Sequence, residues 1–273
     1  METKERIENL FFENVKGKVP DVTGVNSRHD GKDGHWLEKC FGISKNSKNE
    51  ADLDGYELKN ETTSKTTFGD WSANRYIFND GIYKKLFLGK NKAERQDSFC
   101  KIFGRPNPEK NNRYSWSGSP CPKYNIYNDY GQILLVEENL DIVIKYSYSM
   151  DNREDKDEII PKELQIEDLE IARWFGVESP SNKRKDKCLK KKLEDKFNKK
   201  GWFTCKKDEE GKYYALCFGD KVNYKDWIAL LKKGIVFFDS GMYEGNKRPY
   251  SQWRANNKYW DSLIIETITE KSR

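Results

Sequence analysis

QILLVEENLDIVIKYSY, residues Gln132 to Tyr148, commits the chain to a β-sheet. Its first half is rich in β-formers, Glu137 to Asn139 make a polar break, and Leu140, Ile142, Ile144 and Tyr146 then alternate, which predicts a hairpin. Helical periodicity flanks it. From Lys32 to Phe41, KDGHWLEKCF places Trp36, Leu37, Cys40 and Phe41 on one stripe, with Gly42 suited to the C-terminal cap. After the hairpin, SMDNREDKDE reads as a charged loop, and PKELQIEDLEIARWFG and KDKCLKKKLEDKFNKKG both read as helices. In the second of these Leu189, Leu193 and Phe197 recur four apart, and Gly201 marks the stop. The lysines around that stripe read as a solvated face, with contact to a DNA backbone as the sharper alternative. The last third sets WFTC, YYALCF, IVFFD and WDSLIIETI around the helix NYKDWIALLKKG, whose N-cap is Asn223. Strands and helices therefore mix along the whole length. The expected architecture is α/β, a mixed central sheet flanked by helices, in two intertwined lobes without a linker.

At 273 residues the chain can bury a substantial core, and 35% charged residues combined with 14% aromatics separate it from a disordered tail. Its net charge of +5 is mild, but the 50 Lys and Arg are unevenly spread, which permits a basic cleft facing phosphates. No stretch approaches the roughly 18 to 20 apolar residues of a membrane span. The start, METKERIENLF, is charged where a signal peptide would be apolar, so a cytoplasmic location is expected. Cys40, Cys100, Cys121, Cys188, Cys205 and Cys217 are scattered without a C-x-x-C pair, and only His29 and His35 could join them. That argues against a zinc site or a disulfide framework and for reduced, partly buried thiols.

The chemistry has to be found among the carboxylates and lysines. E-x-K occurs at Glu2/Lys4, Glu57/Lys59, Glu154/Lys156, Glu194/Lys196 and Glu210/Lys212, so spacing alone selects nothing. Context does. Glu154 lies in a run of charges, Glu194 in the lysine helix, and Glu2 and Glu210 at a terminus and a turn. Glu57 and Lys59 flank Leu58 in a strand-like segment, where a period of two sends both side chains to one face and Leu58 into the core. Asp52 lies across the turn at Gly55 and can bring a second carboxylate to that face. Two carboxylates beside a lysine suit a magnesium-dependent phosphodiester hydrolase, because oxygen ligands hold the hard cation and the lysine stabilises charge at the phosphate. A surface ion pair at a strand end would use the same residues.

Read together, GHWLEKCFGISKNSKNEADLDGYELKNETT resembles the helix, loop and strand that carry the catalytic groups of MutH and the MvaI/BcnI restriction endonucleases, in the PD-(D/E)XK nuclease superfamily. The resemblance implies Glu38 as a helix carboxylate near the metal, Asp52 and Glu57 as Mg2+ ligands, and Lys59 as the catalytic lysine, with Asp54 as the competitor to Asp52. A second resemblance lies in DSGMYEGNKRPYSQWRAN, where Gly241, Tyr243 and Gly245 precede Trp253 and Arg254, as in the late strand–loop–strand with which such enzymes enter the DNA groove. Lys247, Arg248, Tyr250, Gln252 and Arg254 are the candidate DNA contacts, since Arg pairs bidentately with guanine and Gln suits adenine. The implied protein is one nuclease domain over 1–273, with catalysis mainly in 1–150 and DNA recognition mainly in 151–273. Its implied activity is Mg2+-dependent cutting of double-stranded DNA at a short sequence by a monomer, leaving 5′-phosphates. A MutH-like repair nickase and a non-cleaving DNA-binding protein are the alternatives.

Overall fold

The computed structural model describes residues 3–23, 31–44, 49–79, 81–178 and 188–271, and His29 lies outside these. Its helices are α1 (Thr3–Asn14), α2 (Lys32–Cys40), α3 (Lys92–Phe103), α4 (Lys156–Ile159), α5 (Leu189–Phe197), α6 (Tyr224–Lys232) and α7 (Asn257–Ser262). The strands of the first half are β1 (Tyr56–Lys59), β2 (Lys65–Asp70), β3 (Arg75–Tyr76), β4 (Arg105–Asn107), β5 (Arg113–Trp116) and β6 (Tyr130–Val136). They continue as β7 (Ile142–Asp151), β8 (Leu169–Trp174), β9 (Gly201–Lys207), β10 (Tyr213–Gly219), β11 (Phe237–Ser240), β12 (Met242–Tyr243), β13 (Ser251–Asn256) and β14 (Ile264–Ile268). No described helix is long and apolar enough to cross a membrane.

The chain forms two compact units, one drawn from 1–66, 192–223 and 256–273 and the other from 67–191 and 224–255. The boundary expected near residue 150 falls inside the second unit. In the first unit the sheet order is β1-β9-β10-β14, with β1 parallel to β9 and the other pairs antiparallel, which makes it a mixed sheet. One face packs Leu58, Phe203, Leu216 and Phe218 against Ile7 and Phe11 of α1 and Leu37 and Phe41 of the α2 segment. On the other, Trp202 meets Trp260 of α7 edge-on at 5.0 Å, and Phe197, ending α5, leans on the same ring. Covered from both sides, Gly201–Cys205 is buried throughout. Gly219 pairs with Trp202, and a Cβ there would come within 2.0 Å of the indole, so this position has no room for a side chain. Glu57 and Lys59 pair in register with Trp202 and Thr204 and therefore share the face of Trp202.

The second unit holds three sheets, ordered β3-β8-β7-β6, β11-β13-β2 and β12-β5-β4. Its centre is aromatic: Trp253 lies 5.4 Å from Trp174, 5.3 Å from Trp227 and 5.2 Å from Phe238, ring centroid to ring centroid. The predicted hairpin is β6–β7, and the predicted stripe over 32–41 is α2, with Gly42 left-handed behind it at φ +69°.

Two expectations fail here. The segment from Pro161 to Gly176 is a short 3-10 turn, Lys162–Leu164, followed by β8 rather than a helix. Asp168 at φ +53° breaks the helical path, and the backbone of β7 offers Leu169–Trp174 an antiparallel ladder, with one register shift between Ile144 and Lys145. The charged run 149–158 is not all loop either, because β7 extends to a buried Asp151 and α4 begins at Lys156. Asp151 is held there by the Tyr146 hydroxyl at 3.0 Å and Arg153 Nη2 at 2.6 Å.

Candidate active site

The site begins with a turn. Leu53 and Tyr56 exchange both backbone hydrogen bonds, 3.0 and 2.9 Å, around Asp54 at φ +48° and Gly55 at φ +97°. Two central residues at positive φ are what a type I′ turn requires, and Asp-Gly is among the pairs that adopt it readily. The turn folds Asp52 back along β1, where its Oδ2 accepts the Leu58 amide at 3.0 Å. Asp54, at the tip, accepts instead from Arg6 Nη1 at 2.8 Å and is 44% exposed. Of the two aspartates, the structure brings Asp52 to the carboxylate of Glu57.

Glu57 is only 2% exposed, and its two oxygens have opposite surroundings. Oε1 lies 2.9 Å from Lys59 Nζ and 2.8 Å from Lys196 Nζ, whereas buried Oε2 has no hydrogen-bond partner among the described residues. The Lys59 ammonium also sits 5.0 Å over the Phe197 ring. Burial pulls the Lys59 pKa down, with the charge of Glu57 as the main opposing influence. Asp52 is pushed up to about 6, first by burial and then by the neighbouring Glu57 charge, against the weaker pull of Lys196 and Lys59. Asp52, its proton affinity raised beside Glu57, and the second Glu57 oxygen together offer carboxylate ligands of the kind a hard cation takes.

Lys196 was not foreseen. The sequence put it on a solvated face of the lysine helix, but it directly precedes Phe197 and follows Leu193 by three residues, on the border of the buried stripe. That border position was the available signal; its partner, 139 residues away, was not readable.

Glu38 does not join this group. Its Oε2 lies 3.0 Å from His35 Nδ1 one helical turn back, and none of the interactions described around Asp52, Glu57 and Lys59 involves it. Among the described residues no three His, Cys, Asp or Glu side chains are placed to share a metal. The helix explains this, because Leu37 and Phe41 are the α2-segment side chains buried against the sheet, and Glu38 follows Leu37 by about 100° of rotation.

In the second unit, β11 and β13 pair antiparallel with Asp239 opposite Gln252 and Phe237 opposite Arg254. Alternation buries Trp253 completely and turns Gln252 and Arg254 to the other face. The aromatic of the expected groove-entering pair is thus a core residue, and the arginine alone is partly exposed. Arg254 bonds Gln252 through Nη2 and lies 3.3 Å from Asp239 through Nη1. Arg248 is held by Asp70 at 2.8 Å and stacks 4.1 Å over Tyr250, and Lys247 beside it is exposed. Arg248 and Arg254 are thus each held by an aspartate, Asp70 and Asp239.

Comparison with known proteins gives concordant matches. The family model for LlaMI restriction endonuclease matches residues 15–268. Type II restriction enzyme ScrFI of Lactococcus lactis subsp. cremoris is 60% identical over 264 residues, covering 96% of this chain and 97% of that enzyme. The solved complex of restriction endonuclease MvaI with its cognate DNA substrate has a TM-score of 0.57 over 98% of each chain at 14% identity, a likeness of fold.

Proposed function

We propose that this chain, which belongs to the LlaMI restriction endonuclease family and is a type II restriction enzyme, hydrolyses double-stranded DNA at a short recognition sequence with Mg2+, leaving 5′-phosphates. The observation that carries the catalytic reading is Glu57, with one oxygen held by lysines and the other buried without a partner among the described residues, beside an Asp52 whose proton affinity is raised. These carboxylate oxygens are the ligands a hard divalent ion takes, and Asp52 and Glu57 are the residues that would hold it. When bound, the ion supplies Lewis acidity and positive charge to the scissile phosphate.

The protein's own groups do the rest. Glu57 holds the Lys59 ammonium at the end of β1, where the drier surroundings strengthen its attraction for negative charge developing on the phosphate oxygens. The lowered pKa of Lys59 also suits Nζ to exchange a proton with the attacking water. Glu38 is left outside the ligand pair. In the second unit Arg248, Gln252 and Arg254 read base edges while Lys247 and Tyr250 contact the backbone, so one unit cuts and the other recognises. Carrying both sets of groups, a monomer suffices, and six free thiols suit the reducing cytoplasm.

Plasmid and phage DNAs incubated with the protein, with and without Mg2+, and followed by end sequencing test this directly. Discrete fragments with 5′-phosphates, formed only with the metal, are expected; intact DNA across varied unmethylated substrates would sink the proposal.

A further inference from the structure

Lys196 is more than Glu57 needs. Glu57 and Lys59 are two residues apart on one strand face and already pair at 2.9 Å, so a second ammonium on the same oxygen is redundant for a structural ion pair. It comes from a different element, α5, and its Nζ lies 2.8 Å from Oε1. The formal charges of Asp52, Glu57, Lys59 and Lys196 sum to zero without any metal.

The two lysines are held differently. Lys59 is fixed by the strand, is 10% exposed at its side chain, and has the Phe197 ring beneath its ammonium. Lys196 reaches in from a helix border on a four-carbon stem and is 19% exposed. A divalent ion entering beside Asp52 and Glu57 would give the group a surplus of two positive charges. Repulsion at such distances in a partly dry pocket is strong, and Lys196 is the cation with room to withdraw.

We propose that Lys196 is a built-in counter-cation: it positions Glu57 in the metal-free enzyme, yields when a divalent ion enters, and thereby sets the metal concentration at which the site loads. It is a positioning residue acting through Glu57. This inference rests on the reading of Asp52 and Glu57 as the metal ligands.

The test is Mn2+ binding by the full-length, DNA-free protein, followed through loss of the free-ion EPR signal, in wild type, K196M, K196R and D52N. K196M is expected to bind at least about fivefold more tightly than wild type, because the competing charge is gone, and K196R to stay near wild type. If K196M does not fold by circular dichroism, K196Q replaces it with the same expectation. Binding by the neutral variant that is equal to or weaker than wild type overturns the role of Lys196. If D52N binds Mn2+ as wild type does, the reading of the ligands fails instead, and the two failures are told apart by which variant departs from expectation.

Discussion

Asp52 carries the pH behaviour of the site. Its carboxyl is pushed up to about 6 by burial and then by Glu57, so the folded protein holds this proton more tightly than the unfolded chain. The linked stability is therefore fully present below the ordinary aspartate range and is lost as pH rises through about 6, amounting to about 3 kcal/mol for roughly two pH units. Asp52→Asn removes that loss. Calorimetric scans in a metal chelator should show the variant more stable than wild type at pH 7.5, with the gain shrinking toward pH 4; equal midpoints at pH 7.5 would show that Asp52 is not under this strain. Lys59 makes a second, kinetic expectation. Lys59→Ala should slow Mg2+-dependent cleavage at least about 100-fold, as loss of a transition-state charge does, while gel shifts in Ca2+ show DNA still bound.

At the level of elements, the proposed catalytic geometry depends on a two-residue turn and a strand of four residues. Gly55 sits at φ +97° against the Lys200 side chain, 3.3 Å from where a Cβ would be. Gly55→Ala should cost about 1 kcal/mol or more, lower the thermal midpoint by a few degrees and weaken cutting through displacement of Asp52. Trp260→Ala, which empties the space edge-on to Trp202, should cost about 3–5 kcal/mol in urea unfolding. The turn and strand were legible because Asp54-Gly55 and the alternation of Glu57, Leu58 and Lys59 are local signals, as is the stripe of α2. The β-strand at Leu169–Trp174 was not, because its apolar residues also fit a helix and the deciding partner, β7, is supplied by the fold. Lys196 was missed for the same reason: periodicity placed it on a border but could not name Glu57 as the group across it.

For the whole molecule, the groups proposed to cut and to read lie in separate compact units, the first with Asp52, Glu57 and Lys59 and the second with Arg248, Gln252 and Arg254. Sequence order concealed this, since the chain passes from one unit to the other near residues 66, 191, 223 and 255. Variants should divide accordingly. Lys247→Ala should weaken DNA binding evenly across sequences and lower the salt slope by about one, whereas Arg254→Ala should relax base preference by about 1–3 kcal/mol, both read from binding isotherms over a salt series. The central claim, that the Asp52–Glu57–Lys59 group cuts DNA, is tested most directly by digesting one cognate plasmid in Mg2+ with wild type, Asp52→Asn and Asp54→Asn side by side. The expected result is no cleavage by Asp52→Asn and wild-type fragments from Asp54→Asn; cleavage by Asp52→Asn with none by Asp54→Asn would contradict it.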